Sequence, residues 1–151
     1  MNLVITESKR KDIDDLECRL RDIDLLEVSS FGVSPKEALL EGLDGMVFTA
    51  KDKDDNVVCM FGSADSEVKG TGVVWMLGSG LVEKYKKDVI KLTKDCVKKI
   101  CAPYKCVYNY IHQSNDKSIR WLKWCGFNVG SQVHQFGGQD FYYFHKDLNN
   151  V

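Results

Sequence analysis

Apolar residues recur along this chain in two rhythms, and the places where one gives way to the other mark its elements. "LVIT" at 3–6 reads as a short strand. From there Ile13, Leu16, Leu20 and Ile23 recur at helical spacing, and the pattern predicts a helix reaching about Val28. Arg21, Asp24 and Glu27 are three apart and share a different face, as in a surface ladder of ion pairs or a polar patch for a partner. In "SPKEALLEG" Ser34 is set to cap a helix, Pro35 fits its first position, Glu37 completes a capping box and Gly42 supplies the stop. "GMVFTA" and "NVVCMFGS", joined by the polar "KDKDDN", predict an antiparallel hairpin.

"TGVVWML" at 71–77 is a further strand. The longest helix follows, from about Val82 to Ile100, with Val82, Tyr85, Val89, Leu92, Cys96 and Ile100 as its apolar stripe. Pro103 blocks its continuation. "KCVYNYIH" at 105–112 returns to strand, and a helix spans about Asn115 to Cys125. "VGSQVHQF" and "DFYYFHK" close the chain as a hairpin around Gly137-Gly138. The order is β, α, α, β, β, β, α, β, α, β, β. It predicts one α+β domain over 1–151, with a mixed, mostly antiparallel sheet flanked by helices and one strand–helix–strand crossover.

Composition narrows the function. Apolar residues make up 44% of the 151 and charged residues 28%, an ordinary globular balance. The net charge of −1 offers no basic field for nucleic acid. No apolar run approaches the roughly 20 residues of a membrane span. "MNLVITESKRKD" lacks the apolar core of a signal peptide, so a cytosolic protein is expected. The six cysteines include no Cys-x-x-Cys pair and no histidine pair complements them. They read as reduced, mostly buried thiols, and no metal site is expected.

The element order, together with "N-x-x-S-x-x-W-L-x-x-x-G-F" at 115–127, resembles the GNAT superfamily of acyl-CoA-dependent N-acyltransferases. Asn115, Ser118, Gly126 and Phe127 match the spacing of that family's late motif. Five blocks, "LRDIDLLEV", "GVSPKEAL", "VCMFG", "VVWMLGS" and "NDKSIRWLKWCGF", also resemble small GNAT-like internal virion proteins and uncharacterised proteins of short-tailed phages. The narrower resemblance implies a protein partner from the virion or the host, and a location in host cytoplasm or inside the particle.

The broader resemblance implies a cleft for the pantetheine arm of acetyl-CoA, where the strands at 71–77 and 105–112 part. Leu77, Gly78, Ser79, Gly80, Asn115 and Ser118 are then the cofactor-binding candidates, and Trp75, Tyr108, Tyr110 and Leu122 the groove lining. Two departures from the family pattern point to a degenerate site with no cofactor. Bulky charged residues at Lys86–Asp88, or Glu83 beside Gly78-Ser79-Gly80, replace the glycine loop that cradles pyrophosphate. Leu122 stands where the family often has a tyrosine that protonates the leaving thiolate, and leucine has no proton to give. Weak candidates for a general base are His112 and Glu83. The expected groove is partly filled by Leu122 and Tyr110. Both a virion-associated or host-interacting protein and an N-acetyltransferase with a variant loop stay open.

Overall fold

A computed structural model of the chain describes residues 2–148. Its strands are β1 (Val4–Glu7), β2 (Met46–Lys51), β3 (Val57–Asp65), β4 (Thr71–Gly78), β5 (Cys106–His112), β6 (Asn128–Phe136) and β7 (Gln139–Asp147). They form one seven-stranded sheet in the order β1-β2-β3-β4-β5-β7-β6. Every neighbouring pair is antiparallel except β4 and β5. Among the described residues the helices are α1 (Arg10–Leu16), α2 (Asp22–Ser30), α3 (Pro35–Gly42), α4 (Leu81–Lys84), α5 (Lys86–Cys101) and α6 (Asp116–Trp124). This is the expected α+β architecture, with α5 as the crossover between the two parallel strands.

The sheet carries a core on each face. Ile13, Leu16, Val28 and Leu39 from α1–α3 pack on Val47, Val57, Met60 and Leu77. On the other face Val89, Cys96, Val97 and Ile100 from α5 and Leu122 from α6 meet Phe61, Val74, Val107, Ile111 and Phe144. Ile13, Leu16 and Leu39 are fully buried, each contributing about 1.5–3 kcal/mol. β3, an inner strand between β2 and β4, is buried from Val57 to Ser63, so it does not alternate apolar with polar.

Local signals act where sequence chemistry is strongest. The Glu37 amide donates to Ser34 Oγ at 3.1 Å, and Glu37 Oε1 accepts from the Ser34 amide at 3.3 Å. After α6, Gly126 takes φ +90°, the Phe127 amide reaches back to the Leu122 carbonyl, and Phe127 is buried. Gly137 and Gly138, at φ +56° and +78°, turn the last hairpin.

Three element-level expectations are corrected. The helix predicted from Ile13 to Val28 is broken between Leu16 and Asp22, because Leu20 forms a β-bridge with Ser79 and the Arg21 amide donates to the Gly78 carbonyl. The helix predicted from Val82 to Ile100 is interrupted at Tyr85. Its stripe is also rotated: Thr93 and Val97 are buried while Leu92 is only half-buried, and Thr93 is tolerated because its hydroxyl donates to the Val89 carbonyl at 2.6 Å. Gly42 lies inside the last turn of α3, not after it. A Cβ there would sit 2.5 Å from Trp75 Cζ2, so the glycine makes room for an indole.

Candidate functional site

β4 and β5 are paired only through Thr71–Cys106, Gly72–Val107 and Val73–Tyr108. Beyond that point β4 stays with β3 and β5 stays with β7, so the two half-sheets diverge. At the fork Asn109 Nδ2 donates to the Val74 carbonyl at 2.7 Å, satisfying the first carbonyl left over. The opening is a cleft of about 450 Å³ that passes through the sheet. Thr93, Val97, Trp121, Leu122 and Phe127 line it on the α5–α6 side, and Val28, Phe31, Val33, Ala38 and Trp75 on the α2–α3 side. Had acyl-CoA chemistry been lost, Tyr110 and Leu122 were the side chains expected to fill this groove in part. They line its wall and leave it open.

The charged wall comes from α2. Asp24 and Glu27 do not form a surface ladder, because α2 turns them inward and leaves Leu25 45% exposed. Asp24 Oδ2 accepts from Arg21 Nε at 2.7 Å and from the Gly78 amide at 2.9 Å. Burial pushes its carboxyl above the ordinary range, against the pull of Arg21 and the Gly78 amide. Glu27 Oε2 accepts from the His112 amide at 2.8 Å, and Oε1 from Asn115 Nδ2 at 3.3 Å. Burial, reinforced by the nearby charge of Asp24, raises Glu27 to about 7. A carboxyl poised at neutrality on the wall of a cleft can exchange protons with a bound group, as a general base does.

Of the sequence candidates, Leu77, Asn115, Ser118, Trp75, Tyr110 and Leu122 line the cleft. Tyr108 faces a separate shallow depression beside Asp65–Val68. Gly78 touches the cleft only through Asp24, which takes its amide. The Ser79 amide donates to the Val58 carbonyl, the Leu81 amide to Ser79 Oγ and the Val82 amide to the Ser79 carbonyl. Gly80 starts α4 and its Cβ side faces open space. Thus the amides of residues 78, 79, 81 and 82 are spent within the chain and are not offered to an anion. Both ring nitrogens of buried His112 are engaged, Nδ1 by the Ser114 amide and hydroxyl and Nε2 by Gln139. Glu83 is exposed and bonded to Lys117 at 2.7 Å, whose charge lowers its pKa. Asn115 begins α6 without a side-chain cap, its amide being spent on Glu27. All six cysteines are free thiols, and burial drives Cys59 up to about 12.

Two features were missed in sequence. Glu27 looked like one charge of a solvated ladder, and its one local signal was an acidic pair placed inward beside buried Val28. Trp121 was one apolar position of the 115–127 motif, yet its indole N–H is buried at the cleft with no hydrogen-bond partner. A buried donor without an acceptor costs about 1–3 kcal/mol, so a ligand carbonyl there would restore what folding gave up.

The comparisons with known proteins agree with this geometry. Ard1 from Thermoplasma volcanium superposes with a TM-score of 0.74 at 13% identity, covering 99% of this chain and 100% of that one. A GNAT-family acetyltransferase from Bacillus anthracis gives 0.69 at 14%, over 97% and 95%. Spermidine N-acetyltransferase from Vibrio cholerae, solved with CoA and spermine, gives 0.66 at 14%, over 97% and 95%. The fold is the GNAT fold. No protein-family model matches the chain, and no curated protein does. Among the described residues no helix of this GNAT-fold chain is long and apolar enough to cross a membrane.

Proposed function

We propose that this protein is an N-acyltransferase that draws its acyl group from acetyl-CoA and uses Glu27 as the base that deprotonates the amine. The observation that carries the reading is the open cleft at the fork of β4 and β5, with a carboxyl of pKa about 7 on its wall. The cleft fits a pantetheine arm, and the unpartnered Trp121 N–H offers a donor to one of its carbonyls. When bound, acetyl-CoA supplies a thioester carbonyl open to attack by an amine. Amide cradling of the diphosphate does not fit residues 78–82. The exposed residues Lys84 at the end of α4 and Lys86 and Lys87 at the start of α5 supply the charge instead. Leu122 cannot protonate the departing thiolate, so that proton comes from water or from the amine itself.

One observation favours a second reading. The strand end that would face the donor is latched by Arg21 and Asp24, and the neighbouring amides are already bonded. This supports a GNAT scaffold with a degenerate acyl-CoA site that binds a protein of a phage virion or its host. Trp124, 54% exposed beneath the Lys94 ammonium, would then belong to the contact surface.

Calorimetry with acetyl-CoA and CoA separates the two. Dissociation constants below roughly 100 μM, with thiol release on adding an amine, support the enzyme. No heat at millimolar ligand supports the scaffold. Mass spectrometry of purified particles then decides whether it is packaged.

A further inference from the structure

On the side of α2 and α3 the cleft has a chemistry of its own. Trp75 packs against Gly42. Phe31, 43% exposed, leans on Phe136 and Phe141 at centroid distances of 4.7 and 5.2 Å. Tyr110 meets Phe136 edge-on at 4.9 Å. Trp75, Phe31 and Tyr110, with Val28 and Val33, form a slot that Glu27 also lines. Carboxylates dominate the charge on the whole lining: Asp24, Glu27, Glu41 and Asp65 face a single cation, Arg21. Asp24 is neutralised by Arg21, Asp65 accepts from the Tyr104 hydroxyl at 2.9 Å, and Glu27 accepts only from the neutral His112 amide and Asn115 side chain, with no cation paired to it. Glu41 stands at the exposed rim.

From this arrangement we infer that the acceptor is a primary amine carried on an aryl or branched apolar body, an arylalkylamine and not a polyamine. The inference rests on the acyl-transfer reading for the reaction, though not for the binding. The ammonium meets Glu27, and the ring lies among Trp75, Phe31 and Tyr110, where aromatic faces attract a cation and pack a planar group. A polyamine of similar length would set a second ammonium against Phe31, Val33 and Trp75. Stripping water from that charge costs more than the solvated Glu41 returns. The balance of the transfer itself is simple. The ammonium gives one proton to Glu27, the freed amine nitrogen forms its bond to the acyl carbon, the carbon–sulfur bond breaks, and the second nitrogen proton passes to the departing thiolate to give the free thiol of CoA.

The test titrates phenethylamine, n-butylamine and spermidine into the full chain at about pH 8, where Glu27 is ionised and the amines are cations, with and without CoA. Phenethylamine is expected to bind at least roughly tenfold tighter than either competitor, the scale of discrimination an apolar pocket gives. Glu27→Gln should remove most of that affinity, and Phe31→Ala, at a partly exposed site, should narrow the preference over n-butylamine. Equal or tighter binding of spermidine overturns the inference, as does no binding of phenethylamine at about 10 mM. If acetyl-CoA fails to bind while phenethylamine keeps its preference, the transfer reading falls and the amine slot stands. If acetyl-CoA binds and spermidine wins, the slot assignment falls and the transfer reading stands.

Discussion

At the scale of single residues, Glu27 decides most. If it is the base, the rate with an amine acceptor should rise with pH through about 7, because only the ionised carboxyl accepts the proton. Glu27→Gln should lower kcat/KM by roughly 100-fold and remove that ionisation from the profile. The same residue leaves a mark on stability. Its folded pKa of about 7 lies above the ordinary 4.5, so between these values the folded chain holds a proton that the unfolded chain has released. This contribution is fully present below the window and is lost as pH rises through 7, by an amount of order 3 kcal/mol at most. Urea unfolding at about pH 5 and pH 8 should therefore show Glu27→Gln gaining on the wild type at the higher pH. A pH-independent difference would remove Glu27 from its place as a half-buried, perturbed carboxyl.

At the scale of elements, the latch between α2 and the end of β4 is the part to break. Asp24→Ala leaves the Arg21 guanidinium and the Gly78 amide without their shared acceptor. Breaking such a buried pair costs about 3–5 kcal/mol, read as a fall in the denaturation midpoint. Gly78→Ala sets a methyl group 2.6 Å from Val82 Cγ2, and overpacking of this kind costs about 1–3 kcal/mol. On the opposite face, the rotated stripe of α5 ranks two substitutions. Val97→Asp, at 8% exposure, should unfold the chain, whereas Leu92→Asp, half-buried at the flank, should be milder. Thermal unfolding of both variants checks the order, and equal losses would mean that Leu92 is as central as the periodicity first implied.

At the scale of the whole molecule, the cleft exists because two half-sheets share three residue pairs and then separate. A donor bound across that fork would reach the end of α4 and the start of α5, where Lys84, Lys86 and Lys87 are exposed. If ammonium groups hold its phosphates, affinity for acetyl-CoA should weaken as salt screens them. Replacing all three lysines with glutamine should cost roughly tenfold in affinity and flatten the salt dependence. Calorimetry at low and high ionic strength reads both effects. An unchanged affinity in the triple variant would return attention to backbone amides.

Much of this was legible in the sequence. β-rich runs bounded by turn residues and helical rhythms located all seven strands and the long helices, because those preferences lie in each run's own residues. The Ser34–Glu37 box, Gly126 and the Gly137-Gly138 turn act within a few residues, so their chemistry is complete in the local sequence. The cleft-lining candidates Asn115, Ser118 and Leu122 followed from a motif on one helix and its entry. Only the tertiary structure decided the rest. Leu20 stops a helix by bridging to Ser79, more than fifty residues along the chain. Gly42 is held by an indole from β4. Glu27 becomes a carboxyl poised near neutrality because α2 turns it toward the His112 amide and away from water. A spacing of three fixes which residues share a helical face. Whether that face meets solvent or a cleft depends on what the rest of the chain lays against it, and burial is what sets the chemistry of a charge.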